Sequence, residues 1–321
     1  MVTTWGVDYA SADGCAAPDL GAFRTAGGSF VWLRASFAEY DRAHGAWKLI
    51  PDPTFVRDWT SLASSGLVRG AYMGPAVMAS HSAEEQVGIF HDAVQAQGGL
   101  RPGLDFPPCI DLEFPQGIAG TGMTRDQILT WIRTAVAECR RLWNVWPIIY
   151  TSGRVWNDTD TDCLGNPAAP DLTPCPLWLA RYAYKTRIAA VIPPPDLGPP
   201  PCPTPWKGQY IAHQYQGDAL GVPGFSATVD VDRLATAVSG SSGGQILWAQ
   251  HRLNAFTQQG APSSLPLIED GDFGPRTEIA LQMFQSAYGV QAAICNQSAK
   301  GLAQNGTLDL PTIVALCWVN P

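Results

Sequence analysis

The feature that most constrains the fold of this chain is an alternation of short apolar strands with helical stretches over roughly its first 240 residues. Eight strand candidates follow one another: Thr4–Tyr9, Phe30–Ala35, Val68–Met73, Pro108–Glu113, Trp146–Thr151, Leu177–Tyr182, Gln209–Tyr215 and Thr228–Asp232. Such alternation predicts a parallel sheet, and eight strands predict a closed barrel with functional residues at the carboxyl ends of the strands. The expected fold class is therefore α/β, with an irregular TIM-like (β/α) barrel.

Helix starts support the first half of this barrel. Asp52-Pro53 reads as an N-cap followed by proline at the first helical position, and Ser82-x-x-Glu85 and Thr124-x-x-Gln127 have the spacing of capping boxes. The later strands lack such signals, and residues 193–206 (PPPDLGPPPCPTPW) are too rich in proline for a helix. The second half of the barrel should therefore be irregular, and we find no internal repeat.

Six small residues, 239–244 (SGSSGG), predict a flexible linker because they cannot contribute to a core. They divide the chain into a barrel domain (residues 1–238), the linker (239–244) and a second domain (245–321). Apolar residues at helical spacing from Ile246 to Phe256, with Asp-Gly and Gly-Pro turns further on, predict that the second domain is small, all-α and built from three helices.

Composition excludes several classes of partner. The formal net charge is -8 and no Lys/Arg cluster is present, which argues against nucleic acid or an anionic membrane. No apolar run reaches the length of about 18 residues that a transmembrane helix needs, and Met1 to Trp5 do not read as a signal peptide. Without a Cys-x-x-Cys pair or a Gly-rich phosphate loop, we expect neither a metal nor a cofactor. We also expect the protein to be a monomer.

The cysteine count suggests disulfides and an oxidising destination, since it is even. Buried free thiols are the alternative. Only Cys295 and Cys317 follow the linker, so these two should pair if disulfides stay within domains. The complete set is Cys15, Cys109, Cys139, Cys163, Cys175, Cys202, Cys295 and Cys317.

The strongest chemical signal is a pair of acids on the fourth strand candidate. Side chains alternate along a strand, so Asp111 and Glu113 project to the same side. Desolvation and like charge raise the pKa of one member, which places a protonated acid beside a carboxylate, as glycosidic cleavage requires. Taken alone, Asp-x-Glu is more typical of solvated carboxylates at a strand end.

Further acids occur where other barrel strands should end. Asp8 closes the first strand candidate, and Asp230 and Asp232 belong to the last. First and last strands are neighbours in a closed barrel, so these acids should converge on the Asp111–Glu113 pair. Taken alone, Asp8 could as well start a turn.

In their order and spacing, the motifs of the first domain resemble glycoside hydrolase family 25, the Chalaropsis-type lysozymes of bacterial autolysins and phage endolysins. The matching motifs span about Trp5 to Leu234: GVD (6–8), FVWLRA (30–35), PTF (53–55), RGAY (69–72), DLE (111–113), IYT (149–151), WLARY (178–182), HQY (213–215), VPG (222–224) and VD (229–230). The sequence departs from the family pattern after Asp8 and around Phe37 to Tyr40, so Glu39 receives no role.

The resemblance implies a modified barrel that hydrolyses the β-1,4 bond between N-acetylmuramic acid and N-acetylglucosamine. It makes Glu113 the general acid, with Asp111 stabilising the charge that develops on the sugar or its 2-acetamido group. Asp8 and Asp230 would hold and tune this pair. The substrate's own acetamido group would be the nucleophile, with retention at C1.

Four more residues match positions that line the substrate groove of the family. Aromatic faces suit the C–H surfaces of sugars, and glutamine suits hydroxyl or acetamido groups. Packing within the barrel is the alternative for each, and Trp178 is assigned to the core. The substrate-binding candidates are Tyr72, Tyr150, Tyr182 and Gln214.

The second domain resembles the peptidoglycan-binding domain 1 family. Residues 270–277 (DGDFGPRT) match its Asp-Gly-x-Phe-Gly-x-x-Thr turn, and Phe284-Gln285 match its next helix. The resemblance implies bacterial peptidoglycan as the partner, and tethering would raise the local concentration of enzyme on an insoluble polymer. A dimerising or structural helical appendage is the alternative.

Together these features predict a muramidase that acts on the bacterial cell wall as an antimicrobial, cytolytic enzyme. A phage endolysin released from the host cytoplasm is the favoured origin, with a secreted enzyme as the alternative. A glycosidase for another acetamido-sugar polymer, such as chitin, would use the same chemistry. A non-catalytic wall-binding or virion protein on a dead barrel is the alternative from another class.

Overall fold

The structure, a computed structural model, describes residues 3–41, 43–44, 46–114, 117–156, 164, 170–258, 266–294 and 302–320. Within these ranges, nine strands form one sheet: β1 (Thr3–Tyr9), β2 (Gly28–Asp41), β3 (Ala46–Pro51), β4 (Val68–Gly74), β5 (Cys109–Leu112), β6 (Ile148–Ser152), β7 (Leu177–Ala180), β8 (Ala212–Ala219) and β9 (Val229–Ala235). All eight predicted strands are present.

The sheet closes on itself. Its order is β1-β9-β8-β7-β6-β5-β4-β2-β3, and β1 also pairs with β2, so eight strands form a barrel and β3 stays outside it. The expected irregular (β/α) barrel is confirmed, and it departs from the parallel arrangement at β9, which runs antiparallel to both β1 and β8. No helix separates Ala219 from Val229. The chain therefore turns back directly from β8 into β9. A parallel β9 would have required a longer crossover connection.

Strand β2 is much longer than its sequence pattern indicated. It continues past Ala35 to Asp41, and β3 then returns antiparallel to it, with Tyr40 paired to Trp47. Among the strands of the described sheet, β3 pairs with β2 alone, so this hairpin forms an arm at the carboxyl end of β2.

Helices surround the first half of the barrel and become sparse in the second, as expected. The helices of the described residues are α1 (Leu20–Thr25), α2 (Pro53–Ser65), α3 (Ala83–Ala96), α4 (Arg125–Trp143), α5 (Gly153–Trp156), α6 (Gly244–Gln258), α7 (Pro275–Ile294) and α8 (Leu310–Cys317). The predicted caps are present at Asp52, Ser82 and Thr124. Within the described ranges, none of these helices has the length and apolarity to cross a membrane.

Side-chain alternation divides the barrel into an outer and an inner core. Val7, Leu33 and Ile110 belong to the outer core, which α1–α4 cover. The inner core is aromatic: Trp32 and Trp178 stack with ring centroids 4.1 Å apart and planes inclined by 20°. Large rings thus fill the barrel below its carboxyl-terminal mouth, as the packed interior of such barrels requires.

The three C-terminal helices, α6 to α8, pack against the amino-terminal face of the barrel. Trp318 donates its indole N–H to the carbonyl oxygen of Asp105 (2.8 Å), which precedes β5. The buried guanidinium of Arg252 donates to the carbonyl oxygen of Pro174, which precedes β7, and Gln245 donates to that of Ile211, before β8. The helical region therefore covers the end of the barrel opposite the carboxyl-terminal mouth.

The segment that was expected to be a flexible linker is hydrogen-bonded to the C-terminal region. The backbone N–H of Gly240 donates to the carbonyl oxygen of Phe273 (2.8 Å), and the N–H of Gly243 donates to that of Gly271 (2.9 Å). Gly240 and Gly243 have positive φ angles of 90° and 136°, which glycine adopts without strain, so the glycines suit the turns of this segment. The expected three helices are confirmed, whereas the domain boundaries at 238, 244 and 245 stay a prediction.

The C-terminal region contains an internal repeat that the sequence analysis missed. The side chain of Gln250 on α6 accepts a hydrogen bond from the backbone N–H of Gly271 (2.8 Å). At a spacing of 35 residues, Gln285 on α7 accepts one from Gly306 (3.1 Å). The two turns, DGDFGPRT and NGTLDLPT, share only their glycine and threonine. The repeat is therefore evident from the shared hydrogen bonds and not from the residue identities.

The disulfide prediction is wrong for the described residues. Cys317 is a buried free thiol, so the expected Cys295–Cys317 bond is not formed, and Cys295 itself lies outside the described residues together with Cys163. The alternative of buried thiols holds for most of the described cysteines. Burial raises the pKa of the Cys175 and Cys317 thiols to about 12, which keeps them protonated and unreactive.

Candidate active site

The predicted acids meet on the inner face of the barrel at its carboxyl-terminal mouth. Asp111 is the next-to-last residue of β5 and Glu113 follows the strand on the same side, while Asp8 near the end of β1 pairs with Asp230 across the β1–β9 ladder. Because β9 runs antiparallel, its first residues rather than its last lie at this mouth. Burial is the largest cause of the raised pKa of Asp8 and Asp111, and the charge of Asp230 raises both further, so Asp230 lies within electrostatic reach of each.

Asp8 is buried and held by a hydrogen-bond chain. Gln214 donates to its Oδ2 at 2.6 Å, and Tyr150 donates to the amide oxygen of Gln214 at 2.7 Å. Burial raises the pKa of Asp8 well above its ordinary value, and the neighbouring charge of Asp232 raises it further. Because both carboxyls are buried, ionising one makes it harder to ionise the other.

Asp111 has an unsatisfied polar atom. Its Oδ1 is buried and has no hydrogen-bond partner among the described residues. Burial and the charge of Glu113 raise the pKa of Asp111 well above its ordinary value, while the nearby guanidinium of Arg34 opposes this. A buried, unpaired carboxylate oxygen is costly unless a ligand completes it.

Glu113 stands at the edge of the cluster, with its side chain accessible to solvent. The surrounding protein atoms nevertheless desolvate its carboxyl and raise its pKa above the ordinary value. An accessible carboxyl with a raised pKa is the type of group that can give a proton to a substrate and take one back.

Asp230 titrates near neutrality. Burial raises its pKa to about 7, although the hydrogen bond that it accepts from the backbone N–H of Asp218 (2.7 Å) favours the ionised form. The negative charges of Asp13, Asp218 and Glu113, in this order of size, raise the pKa further. Asp230 can therefore change its charge near neutral pH.

The substrate-binding candidates all lie at this cluster, but they differ in access. Tyr182 is 46% exposed at the mouth, and burial together with the charges of Asp230 and Glu113 raises its pKa. Tyr72 and Tyr150 are buried, and Gln214 is fully enclosed with both polar ends of its amide already bonded. Of these four residues, Tyr182 can therefore contact a ligand directly without a rearrangement of the site.

Sequence reasoning missed two residues that shape the site. Arg34 on β2 forms an ion pair with buried Asp52 (2.8 Å) and lowers the pKa of Asp111 by its charge. Trp178, assigned to the core, is buried as expected, and its indole N–H also donates to Asp232 (2.7 Å), so it forms the floor beneath the acids. Alternation from Phe30 and Trp32 to Arg34 was the signal that could have identified the arginine as inward-facing.

The arrangement suits acid–base chemistry. Among the described residues, no three His, Cys, Asp or Glu side chains come together in the manner of a metal site. A cluster of carboxyls with unequal access and raised pKa can hold a protonated acid beside an anionic partner. That is the equipment for cleaving a glycosidic bond.

Comparison with known proteins agrees with this geometry. Residues 40–220, more than half of the chain, match the family described as "Glycosyl hydrolases family 25", and residues 242–292 match "Putative peptidoglycan binding domain". No curated protein sequence gives a significant match.

Similar solved structures share the barrel. They include a family GH25 lysozyme from Aspergillus fumigatus (22% identity, TM-score 0.54, covering 73% of this chain and 94% of that one). A bacterial lysozyme from Streptomyces coelicolor (21%, 0.53, 72% and 91%) and a muramidase from Acremonium alcalophilum (24%, 0.54, 72% and 93%) are also similar. At these identities the likeness concerns the fold, and the family match carries the assignment. With Asp111 and Glu113 at the mouth of a closed barrel inside the matched region, this chain belongs to glycosyl hydrolases family 25.

Proposed function

We propose that this chain is a muramidase that hydrolyses the β-1,4 bond from N-acetylmuramic acid to N-acetylglucosamine in peptidoglycan. The observation that carries the proposal is the Asp111–Glu113 pair, in which a buried carboxyl with an unpaired oxygen adjoins an accessible carboxyl of raised pKa. The two groups suit two different tasks in one reaction.

In the first step, Glu113 gives its proton to the leaving glycosidic oxygen while the carbonyl oxygen of the substrate's 2-acetamido group attacks C1. The C1–O bond breaks, and an oxazolinium ring forms. Asp111 accepts the acetamido N–H through its unpaired Oδ1 and stabilises the positive charge. In the second step, the Glu113 carboxylate takes a proton from water, the water oxygen bonds to C1, and the ring reopens with overall retention.

Asp8 and Asp230 tune this pair rather than react. Any negative charge on Asp230 disfavours ionisation of Asp111, whose pKa it raises, and Asp8 borders the same cluster. Among the four substrate-binding candidates, Tyr182 contacts the sugar, while Tyr72 and Tyr150 form the wall behind it. Gln214 positions Asp8, because its amide is already occupied by Asp8 and Tyr150.

The region that matches a putative peptidoglycan-binding domain supports peptidoglycan as the substrate over other polymers of acetamido sugars. Several similar structures are described as lysozymes or muramidases. We place the enzyme at the bacterial cell wall, as a monomeric phage endolysin released from the host cytoplasm; a secreted enzyme is the alternative origin.

Mass spectrometry of digested peptidoglycan tests the proposal. New reducing ends on muramic acid are expected from the wild type, and Glu113→Gln should lower their rate of formation at least about 1000-fold while wall binding remains. The matched control is Glu84→Gln, on the exposed side of α3. New reducing ends on glucosamine, or normal turnover by Glu113→Gln, would contradict the proposal, and cleavage of chitin at a comparable rate would favour the broader acetamido-sugar specificity.

A further inference from the structure

A groove adjoins the candidate active site on the outer side of Glu113. It encloses about 700 Å³ of space open to solvent. The β2–β3 hairpin contributes Ala38 and Trp47, the segment after β4 contributes residues 75–78, and the segment after β5 contributes Phe114. Of the carboxyl cluster, only Glu113 belongs to the described lining of this groove.

Glu113 belongs both to the carboxyl cluster and to the lining of this groove. A general acid must lie between the sugar whose C1 becomes cationic and the sugar that leaves. The other carboxyls of the cluster are the groups that can provide the negative charge a developing cation needs. The groove beyond Glu113 therefore lies on the leaving side.

The lining of the groove fits an uncharged sugar. Apart from Glu113, the described lining contains no charged side chain. Trp47 is half-buried, and its ring meets that of Tyr40 edge-on at 5.3 Å, while Tyr40 is 47% exposed. Because the two residues are paired across the hairpin, their rings lie on one face of it and form an aromatic platform.

We propose that this groove binds the N-acetylglucosamine unit that leaves with a free 4-hydroxyl, and that Trp47 stacks on its C–H face. The inference rests on the proposed function. A neutral acetamido sugar matches an apolar groove with an aromatic wall, whereas the lactyl carboxylate or the stem peptide of muramic acid would need a cation that the described lining lacks.

Steady-state kinetics on soluble glycan strands gives the first test. Trp47→Ala should raise KM about tenfold and change kcat less than about twofold, because the stacking contact is made before and during the reaction. Trp47→Phe should keep most of the affinity. Glu39→Gln is the matched control, since Glu39 lies on the opposite face of the same hairpin and should leave KM unchanged.

Nuclear magnetic resonance of the inactive Glu113→Gln protein gives the second test. The indole N–H signal of Trp47, identified by its loss in Trp47→Phe, should shift when the disaccharide N-acetylglucosaminyl-N-acetylmuramic acid is added. A Trp47 signal that does not move, or a Trp47→Ala protein that loses kcat without a change in KM, would overturn the inference while leaving the proposed function intact. Persistent cleavage by Glu113→Gln would instead remove the proposed function on which it rests.

Discussion

The indole ring of Trp32 occupies the space inside the barrel that a side chain at Gly70 would need. A Cβ atom on Gly70 would lie 1.8 Å from Cδ1 of Trp32, far inside van der Waals contact. Trp32 in turn stacks on Trp178, whose indole N–H holds Asp232 beneath the acids. The glycine on β4 thus allows the aromatic packing on which the floor of the site depends.

Gly70→Ala should therefore destabilise the protein by about 1–3 kcal/mol or more, since the ring of Trp32 has no free space to move into. Urea unfolding measures the change. Gly88→Ala on α3 is the control, because its added Cβ meets nothing within 4 Å and alanine favours a helix by about 0.5–1 kcal/mol. Equal stability of Gly70→Ala and wild type would show that the barrel interior is loosely packed.

Removal of the residues after Ser239 should destabilise the barrel itself. The C-terminal helices cover its amino-terminal face through Ile246, Trp248 and the Trp318–Asp105 hydrogen bond, and their loss would expose an apolar surface. We expect the midpoint of thermal unfolding to fall by at least about 10 °C, as measured by circular dichroism.

A control for this truncation is Ile279→Ser, which alters an exposed position on α7 and should leave the midpoint unchanged. If the truncated chain kept the wild-type midpoint, the contacts at the amino-terminal face would contribute nothing to stability, and the C-terminal region would act only as a tethered module.

The dependence of kcat/KM on pH should follow the Asp111–Glu113 pair. Catalysis needs Glu113 protonated, so the rate falls as pH rises through its pKa, and it needs Asp111 ionised, so the rate falls as pH drops through that pKa. Burial raises the pKa of both groups, which shifts the whole profile above the ordinary carboxyl range of about 3.9–4.3. The two limbs belong to the coupled pair rather than to single residues.

Asp111→Asn tests this coupling. The substitution removes a negative neighbour, so the pKa of Glu113 should fall and the alkaline limb of the residual activity should move to lower pH. We expect kcat to fall about 100-fold or more. Asp126→Asn, at the exposed start of α4, is the control. An alkaline limb that stays in place would show that the two carboxyls do not interact.

The stability of the folded protein should decrease with rising pH in part because of Asp230. Its pKa is about 7 in the folded protein and near 3.8 when unfolded, so the folded state holds more protons between these values and loses stability as pH rises through this window. Asp230→Asn removes the buried charge and keeps an oxygen to accept from Asp218. It should gain up to about 4 kcal/mol relative to wild type at pH 8.

The same comparison at pH 4 provides the control for Asp230→Asn, because wild-type Asp230 is then protonated and uncharged. The difference in the free energy of unfolding should nearly vanish there. A difference that is independent of pH would mean that the substitution acts through packing or hydrogen bonding rather than through the charge of Asp230.

The sequence by itself determined the eight barrel strands, the placement of Asp111 and Glu113 on the same side of their strand, and the three C-terminal helices. Each of these follows from spacing within a single segment: a period of two along a strand, or caps and apolar positions along a helix. The expected proximity of Asp8 and Asp230 depended on one further assumption, that the barrel closes. The pairing of β1 with β9 shows that this assumption is correct.

Only the tertiary structure decided the antiparallel return of β9, the long β2–β3 arm with Trp47, the ion pair of Arg34 with Asp52, and the free thiol of Cys317. It also decided that residues 239–244 are held against the C-terminal region and that this region covers the amino-terminal face of the barrel. These features depend on which distant surfaces fit together. Contacts between remote segments leave no periodic trace in the residues that make them.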